Sequence, residues 1–291
     1  MPSILLQLTA IERVATAPEA VPAEVVRALA EDPEYARFGA ALLDLPKLFH
    51  PGAASPFDAP GRVAMGLKMA ELVATGALVG KEPGLAFVSG YFTHLSLARV
   101  LSPAALRLAE RHRRPQESFA QAVRRIEWQQ GLFYLRARYG TELVGTAQVR
   151  AKLQILKRPG WPHRGVGRGL YELVRLSAQE AQGLVLRKRE VDGWVRALYL
   201  YGLFLGSPLG KARALRGDTR LAERELYRGP QIDFPAEVER GLDLARSVLT
   251  RLASLIRRGR FTARVTAQFL ERFPEESGHA DGGETATTAL P

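Results

Sequence analysis

The 291-residue chain contains no cysteine. That excludes disulfide frameworks, thiolate-bound zinc, iron–sulfur clusters and thiol catalysis. It is compatible with a reducing compartment, and the expected location is the cytoplasm. No apolar run approaches the roughly 18 residues of a membrane span; the most apolar stretch, 197–205, is only half as long. The opening Met1-Pro-Ser-Ile-Leu-Leu-Gln7 lacks a basic region, and Glu12 and Arg13 end its apolar run, so no secretory leader is expected. A soluble protein is the expectation. The Walker A loop and the Gly-x-Ser-x-Gly elbow are missing too. Gly165-Val-Gly167-Arg-Gly169 has the wrong spacing for a dinucleotide loop and no strand before it.

What is present suits a globular protein. Hydrophobic residues make up 46% and charged residues 24%, enough apolar material for a packed core. Basic residues outnumber acidic ones by 41 to 30, and only seven of the 41 are lysine. The excess is concentrated: residues 107–224 hold 24 basic and 10 acidic side chains, so the remainder is slightly acidic. Arginine dominance fits a GC-rich coding sequence as well as a face that attracts phosphate or carboxylate. Without interleaved aromatics or a recognised module, nucleic acid is the weaker partner class.

Helical periodicity runs almost throughout. Leu5, Leu8, Ile11 and Val14, then Val25 and Leu29, repeat at three and four, and the pattern continues from Pro33 to Asp44. Residues 50–61, rich in Pro, Gly, Ala and Ser, read as a loop. Helices are expected at 63–78, 85–101, 103–113, 117–137, 170–186 and 191–205, with loops at 157–168 and 206–230. The cleanest amphipathic helix is 235–258, with Val238, Leu242, Ala245, Leu249, Leu252 and Ile256 on one face. Strand-like alternation is nearly absent, and from about residue 275 the composition turns to Gly, Thr, Ser and Ala. The expectation is all-α: one helical domain over 1–274 and a disordered tail over 275–291.

The motif-bearing segment is Gly90-Tyr-Phe-Thr-His94-Leu-Ser-Leu-Ala98-Arg-Val-Leu-Ser102-Pro103. A helix-borne His, an Asp four residues on and then His-Pro would place metal ligands on one helix face. This segment resembles that motif with its ligands altered. Arg37-Phe-Gly-Ala-Ala-Leu-Leu-Asp44-Leu-Pro46 and Arg124-Arg-Ile-Glu127-Trp128 accompany it, as do Tyr201-Gly-Leu-Phe-Leu-Gly-Ser-Pro-Leu-Gly210 and Ile232-Asp-Phe-Pro-Ala-Glu-Val-Glu239. In this order they resemble the zinc-dependent phospholipase C family (phospholipase C/D domain), all-α hydrolases related to the P1-type nucleases. The likeness runs from Met1 to about Ile256.

Such enzymes hold about three zinc ions whose bound water attacks a phosphodiester. Here the resemblance implies loss. Gln7 stands where an N-terminal His is expected, Ala98 replaces the bridging Asp, Ser102 replaces the His of His-Pro, and Val123 replaces the His of His-x-x-x-Glu. What persists is Asp44, His94 and Glu127, with His50 as a fourth candidate ligand and Asp58 as an alternative to it. The full trizinc centre cannot assemble from this set. Two readings remain. Asp44, His50 and His94 form a single-zinc site with an open position for water, or they are remnants, with Asp44 capping a helix and His94 a core histidine bonded to Asp44. The second is preferred. The expected function is therefore a catalytically degenerate binding or scaffold protein with no cofactor; the rival is a phosphodiesterase with one metal ion.

The basic loop 157–168 offers a partner hypothesis. Lys157, Arg158, Arg164 and Arg168 surround Trp161 and His163, and Pro159, Gly160 and Pro162 keep the segment out of helix. An indole flanked by guanidinium groups suits the headgroup level of an anionic bilayer, where four cations are worth about 4 kcal/mol. Peripheral attachment to an anionic phospholipid surface is one partner expectation and a protein partner the other. The plainer alternative is a solvated loop whose Trp161 packs back on the protein.

Overall fold

The computed structural model describes residues 3–17, 19–49, 55–58, 60–140, 143–153, 166–214, 219–229 and 232–272. Among these the chain forms fourteen α-helices, one 3-10 turn at Pro56–Asp58 and a single two-residue antiparallel pairing, so the all-α expectation holds. In order the helices are α1 Ile4–Ala15, α2 Ala23–Glu31, α3 Pro33–Ala41, α4 Leu45–Phe49, α5 Arg62–Thr75, α6 Lys81–His112 and α7 Phe119–Tyr139. There follow α8 Ala147–Lys152, α9 Arg168–Gln182, α10 Lys188–Leu205, α11 Pro208–Ala214, α12 Thr219–Leu226, α13 Phe234–Arg258 and α14 Ala263–Arg272. The strands β1 Arg228–Gly229 and β2 Ile232–Asp233 lie between α12 and α13. Among the described residues, no helix is long and apolar enough to cross a membrane.

Helix α6 is the axle. Every residue from Gly84 to Ala98 is buried, a stretch longer than an amphipathic surface helix would bury on one face. It is enclosed by α1, α2, α3, α5, α7 and α13. On α13 the apolar stripe read from the sequence is the buried one, from Val238 to Ile256. Helix starts follow local chemistry: Ser3 accepts from the Leu6 N–H to begin α1, and Ser118 with Gln121 forms a reciprocal capping box on α7.

Two expectations change, and one helix, α14, was not anticipated. Residues 85–101 and 103–113 are one helix, α6, which runs through Pro103. Proline removes its own N–H and crowds the carbonyl of Arg99, and burial of Leu101, Ala104 and Ala105 on both sides offsets that cost. The 206–230 segment is not simply a loop. Pro208 stands at the first position of α11, where its missing N–H costs nothing, and Ser207 accepts from the Gly210 N–H. Helix α12 is tied to α7 by the Arg136–Glu223 ion pair. Finally, α14 returns to the core through Phe269, which meets Phe92 edge-on at 5.5 Å. Residues 275–291 lie outside the described part of the chain.

Helices α3 and α6 cross closely, and the crossing positions the site. A Cβ on Gly39 would lie 1.9 Å from the Phe87 carbonyl oxygen, and one on Gly90 would lie 1.9 Å from that of Ala36. Each helix thus presents a glycine to the other's backbone, a contact closed to any larger residue. One turn beyond Gly90 on α6 stands His94, and one turn beyond Ala36 on α3 stands Ala40.

Candidate functional site

Because the two backbones nearly touch, the His94 imidazole reaches the other helix without leaving the core. Its Nδ1 lies 2.7 Å from the Ala40 carbonyl oxygen, and the side chain has no exposed surface. A carbonyl only accepts, so Nδ1 carries the proton and Nε2 the lone pair. Burial pushes this imidazole below its ordinary value of 6.5, the nearby Asp44 and the Ala40 bond only partly opposing, so the neutral ring is favoured.

Asp44 sits in the turn between α3 and α4, and its Oδ2 accepts from the Gln7 Nε2 amide of α1 at 2.8 Å. Gln7 is fully buried. Glu127 reaches the same region from α7, is also buried, and is pushed above its ordinary 4.5 first by burial and then by the charge of Asp44. Lys47 of α4 lies close enough to oppose that shift. The chain therefore brings Gln7, Asp44, His94 and Glu127 together from α1, the α3–α4 turn, α6 and α7, with burial favouring the uncharged forms of His94 and Glu127.

The positions of the altered motif are equally informative. Ala98 is buried, and Ser102 and Val123 are half-buried. Ala98 and Val123 offer no donor atom, while the Gln7 amide directs an N–H at Asp44, where a metal would require a lone pair. Glu127 held towards its protonated form is likewise a poor ligand, since metal binding must first expel that proton. The residues present do not fit a trinuclear zinc centre. Among the described residues no group of three or more His, Asp or Glu side chains is placed to hold a metal ion. His50 lies outside the described residues.

Asp58, the alternative to His50, is engaged elsewhere. Its Oδ1 accepts from Lys47 Nζ at 3.0 Å and Arg62 Nη2 at 3.1 Å, and its Oδ2 accepts from the Ser55 N–H at 3.0 Å. The bond expected between His94 and Asp44 is replaced by two separate ones, His94 to Ala40 and Asp44 to Gln7. The glycine crossing is the reason, because it brings the Ala40 carbonyl within hydrogen-bond reach of the ring. Of the basic-loop residues, Lys157, Arg158, Trp161 and Arg164 lie outside the described residues, and Arg168 is exposed at the start of α9.

Sequence reasoning missed Lys47, which bridges to Asp58 beside the cluster. It also missed a second polar seam, in which Arg13 of α1 bonds the Tyr134 hydroxyl of α7 at 2.7 Å and pairs through both nitrogens with Glu239 of α13. Spacing within one helix cannot reveal such partners, which lie more than a hundred residues apart in the chain. Compared with protein-family models, curated proteins and solved structures, the chain matches none.

Proposed function

We propose that this chain is a phospholipase C/D-like helical protein whose catalytic centre has degenerated and which works as a binding or scaffold protein. The observation that carries the proposal is the Gln7–Asp44 bond. At position 7, where a metal centre would need a lone pair, the Gln7 amide presents an N–H to Asp44, and the neighbouring Glu127 is shifted towards its neutral form. A hydrolytic metal site requires ionised carboxylates and a position open to water beside its neutral imidazole, and of these the cluster has only the neutral imidazole in its favour. The cluster instead has the attributes of a structural joint, since side-chain bonds tie α1 to the α3–α4 turn and α6 to α3. The cysteine-free composition suits action in the cytoplasm.

A second reading keeps one specific observation in its favour. The His94 Nδ1–H is bonded to a backbone carbonyl, the arrangement that fixes the tautomer and orients Nε2 in metal-ligating histidines. On that reading the protein is a metal-dependent phosphodiesterase with a single ion. Hydrolysis of bis(p-nitrophenyl) phosphate by the purified chain, with and without added zinc, separates the two. The first reading expects no turnover above that of His94→Ala; zinc-dependent turnover lost in His94→Ala establishes the second.

A further inference from the structure

Helix α10 buries Val191, Trp194, Val195, Leu198, Gly202 and Leu205 and turns its other side to solvent. That outer side begins as expected for a surface helix, with exposed Arg189 and Arg196. It then changes character. Leu200 is 51% exposed and Phe204 38% exposed, one turn apart, and Leu209 on α11 is 76% exposed. An isolated exposed leucine means little. Three large apolar side chains on successive turns of one connected surface are a feature that water alone does not explain.

The geometry sets α11 against the end of α10. The chain reverses at Gly206-Ser207, and α11 packs back so tightly that a Cβ on Gly210 would lie 2.1 Å from the Phe204 carbonyl oxygen. Leu209 is therefore held beside the end of α10. At the other end of the stripe, the half-exposed Phe49 ring lies over Gly193, 3.2 Å from where a Cβ would stand. Gly193, Leu200 and Phe204 are seven and eleven residues apart in register, so they share one helix face.

Cations surround the apolar stripe. Arg196 stands one turn before Leu200. Arg150 of α8 reaches the reversal, its Nε 3.3 Å from where a Gly206 Cβ would stand, and the Lys211 side chain lies across Gly145. None of the three has a carboxylate partner among the described residues. The acids of α10 are used internally: Glu190 caps the helix start, and Asp192 bonds Lys188 and the Val166 N–H.

We propose that the α10–α11 face docks peripherally on an anionic lipid bilayer, Leu200, Phe204 and Leu209 entering the headgroup–acyl boundary while Arg150, Arg196 and Lys211 meet phosphate groups. The proposal rests on the binding-protein reading above and supplies its partner. A bilayer interface offers apolar depth and negative charge side by side. A second copy of this chain does not, because a twofold contact would bring the same cations against one another. Peripheral attachment of this kind is reversible and weakens with salt.

The test is sedimentation of the full chain with vesicles of phosphatidylcholine alone and of phosphatidylcholine mixed with phosphatidylglycerol, at low and high salt. Binding is expected only to the mixed vesicles and to fall with salt. Arg150→Gln, Arg196→Gln and Lys211→Gln together should weaken it about a hundredfold, at roughly fivefold per cation. Leu200→Ser, Phe204→Ser and Leu209→Ser together should weaken it more than about tenfold with the helical circular dichroism unchanged. Equal binding to neutral vesicles, no binding to either, or wild-type binding by both triple variants overturns the proposal. So does capture of an acidic peptide or of nucleic acid through the same residues when vesicles fail. Loss of vesicle binding leaves the phosphodiesterase result untouched, whereas His94-dependent hydrolysis removes the degenerate-centre reading alone.

Discussion

Replacing His94 by glutamine should flatten the acid side of the stability profile. Burial holds the imidazole below its ordinary value of 6.5. Between that value and the folded-state value, the unfolded chain takes up a proton that the native chain refuses. Stability therefore falls as pH falls through 6.5, and a difference of one full proton is worth about 1.4 kcal/mol per pH unit. Going from about pH 7.5 to about pH 5.5, His94 alone costs at most about 1.4 kcal/mol, the figure reached when the native ring takes up no proton in that range. Glu127 has the opposite sign. Its carboxyl, raised above 4.5, keeps a proton in the native state that the unfolded chain releases, so its contribution is present at low pH and lost as pH rises through the folded value. Comparing His94→Gln with wild type cancels Glu127 and every other shared group. Urea unfolding across this range, read at constant m-value, should show the two curves converging, by up to about 1.4 kcal/mol, as the pH drops. Parallel curves would refute the reasoning. Should the variant fail to fold, NMR titration of the wild-type imidazole reads the same property: the ring should stay neutral at pH values where an exposed histidine is charged.

Gly90→Ala should cost more than about 3 kcal/mol, because its Cβ would meet the Ala36 carbonyl at 1.9 Å and neither backbone can yield cheaply. Gly167→Ala, where nothing lies within 4 Å and φ is negative, is the matched control and should change stability by less than about 0.5 kcal/mol; thermal melts check both. Gln7→Ala should lose about 1–3 kcal/mol by leaving the Asp44 carboxylate without its amide donor, measured by urea midpoint. Ser118→Ala removes the capping box of α7 and should cost about 1 kcal/mol in the same assay.

Much of the architecture was legible because burial follows periodicity. The stripe from Val238 to Ile256 and the spacing of Leu5, Leu8, Ile11 and Val14 are direct consequences of 3.6 residues per turn, and both are buried. Where the reading erred, tertiary packing overruled local chemistry. Pro103 signals a break, yet the apolar residues around it have partners on several helices. Residues 206–230 look like loop because Gly, Pro and Arg dominate, yet Pro208 starts a helix and Glu223 is drawn to Arg136. The candidate site was legible in membership rather than in bonding. Asp44, His94 and Glu127 converge with Gln7, but nothing in a one-dimensional pattern tells that Gly39 and Gly90 bring a backbone carbonyl within reach of the imidazole.

The most direct test of the degenerate centre is the metal content of the purified full chain, measured by plasma mass spectrometry after expression with zinc and again in His94→Ala. The polar cluster closed by Gln7–Asp44 and His94–Ala40 calls for no tightly held ion, with wild type and variant alike in content and a melting temperature unchanged by chelator. Close to one zinc ion per chain, lost in His94→Ala and with it several degrees of thermal stability, would contradict it.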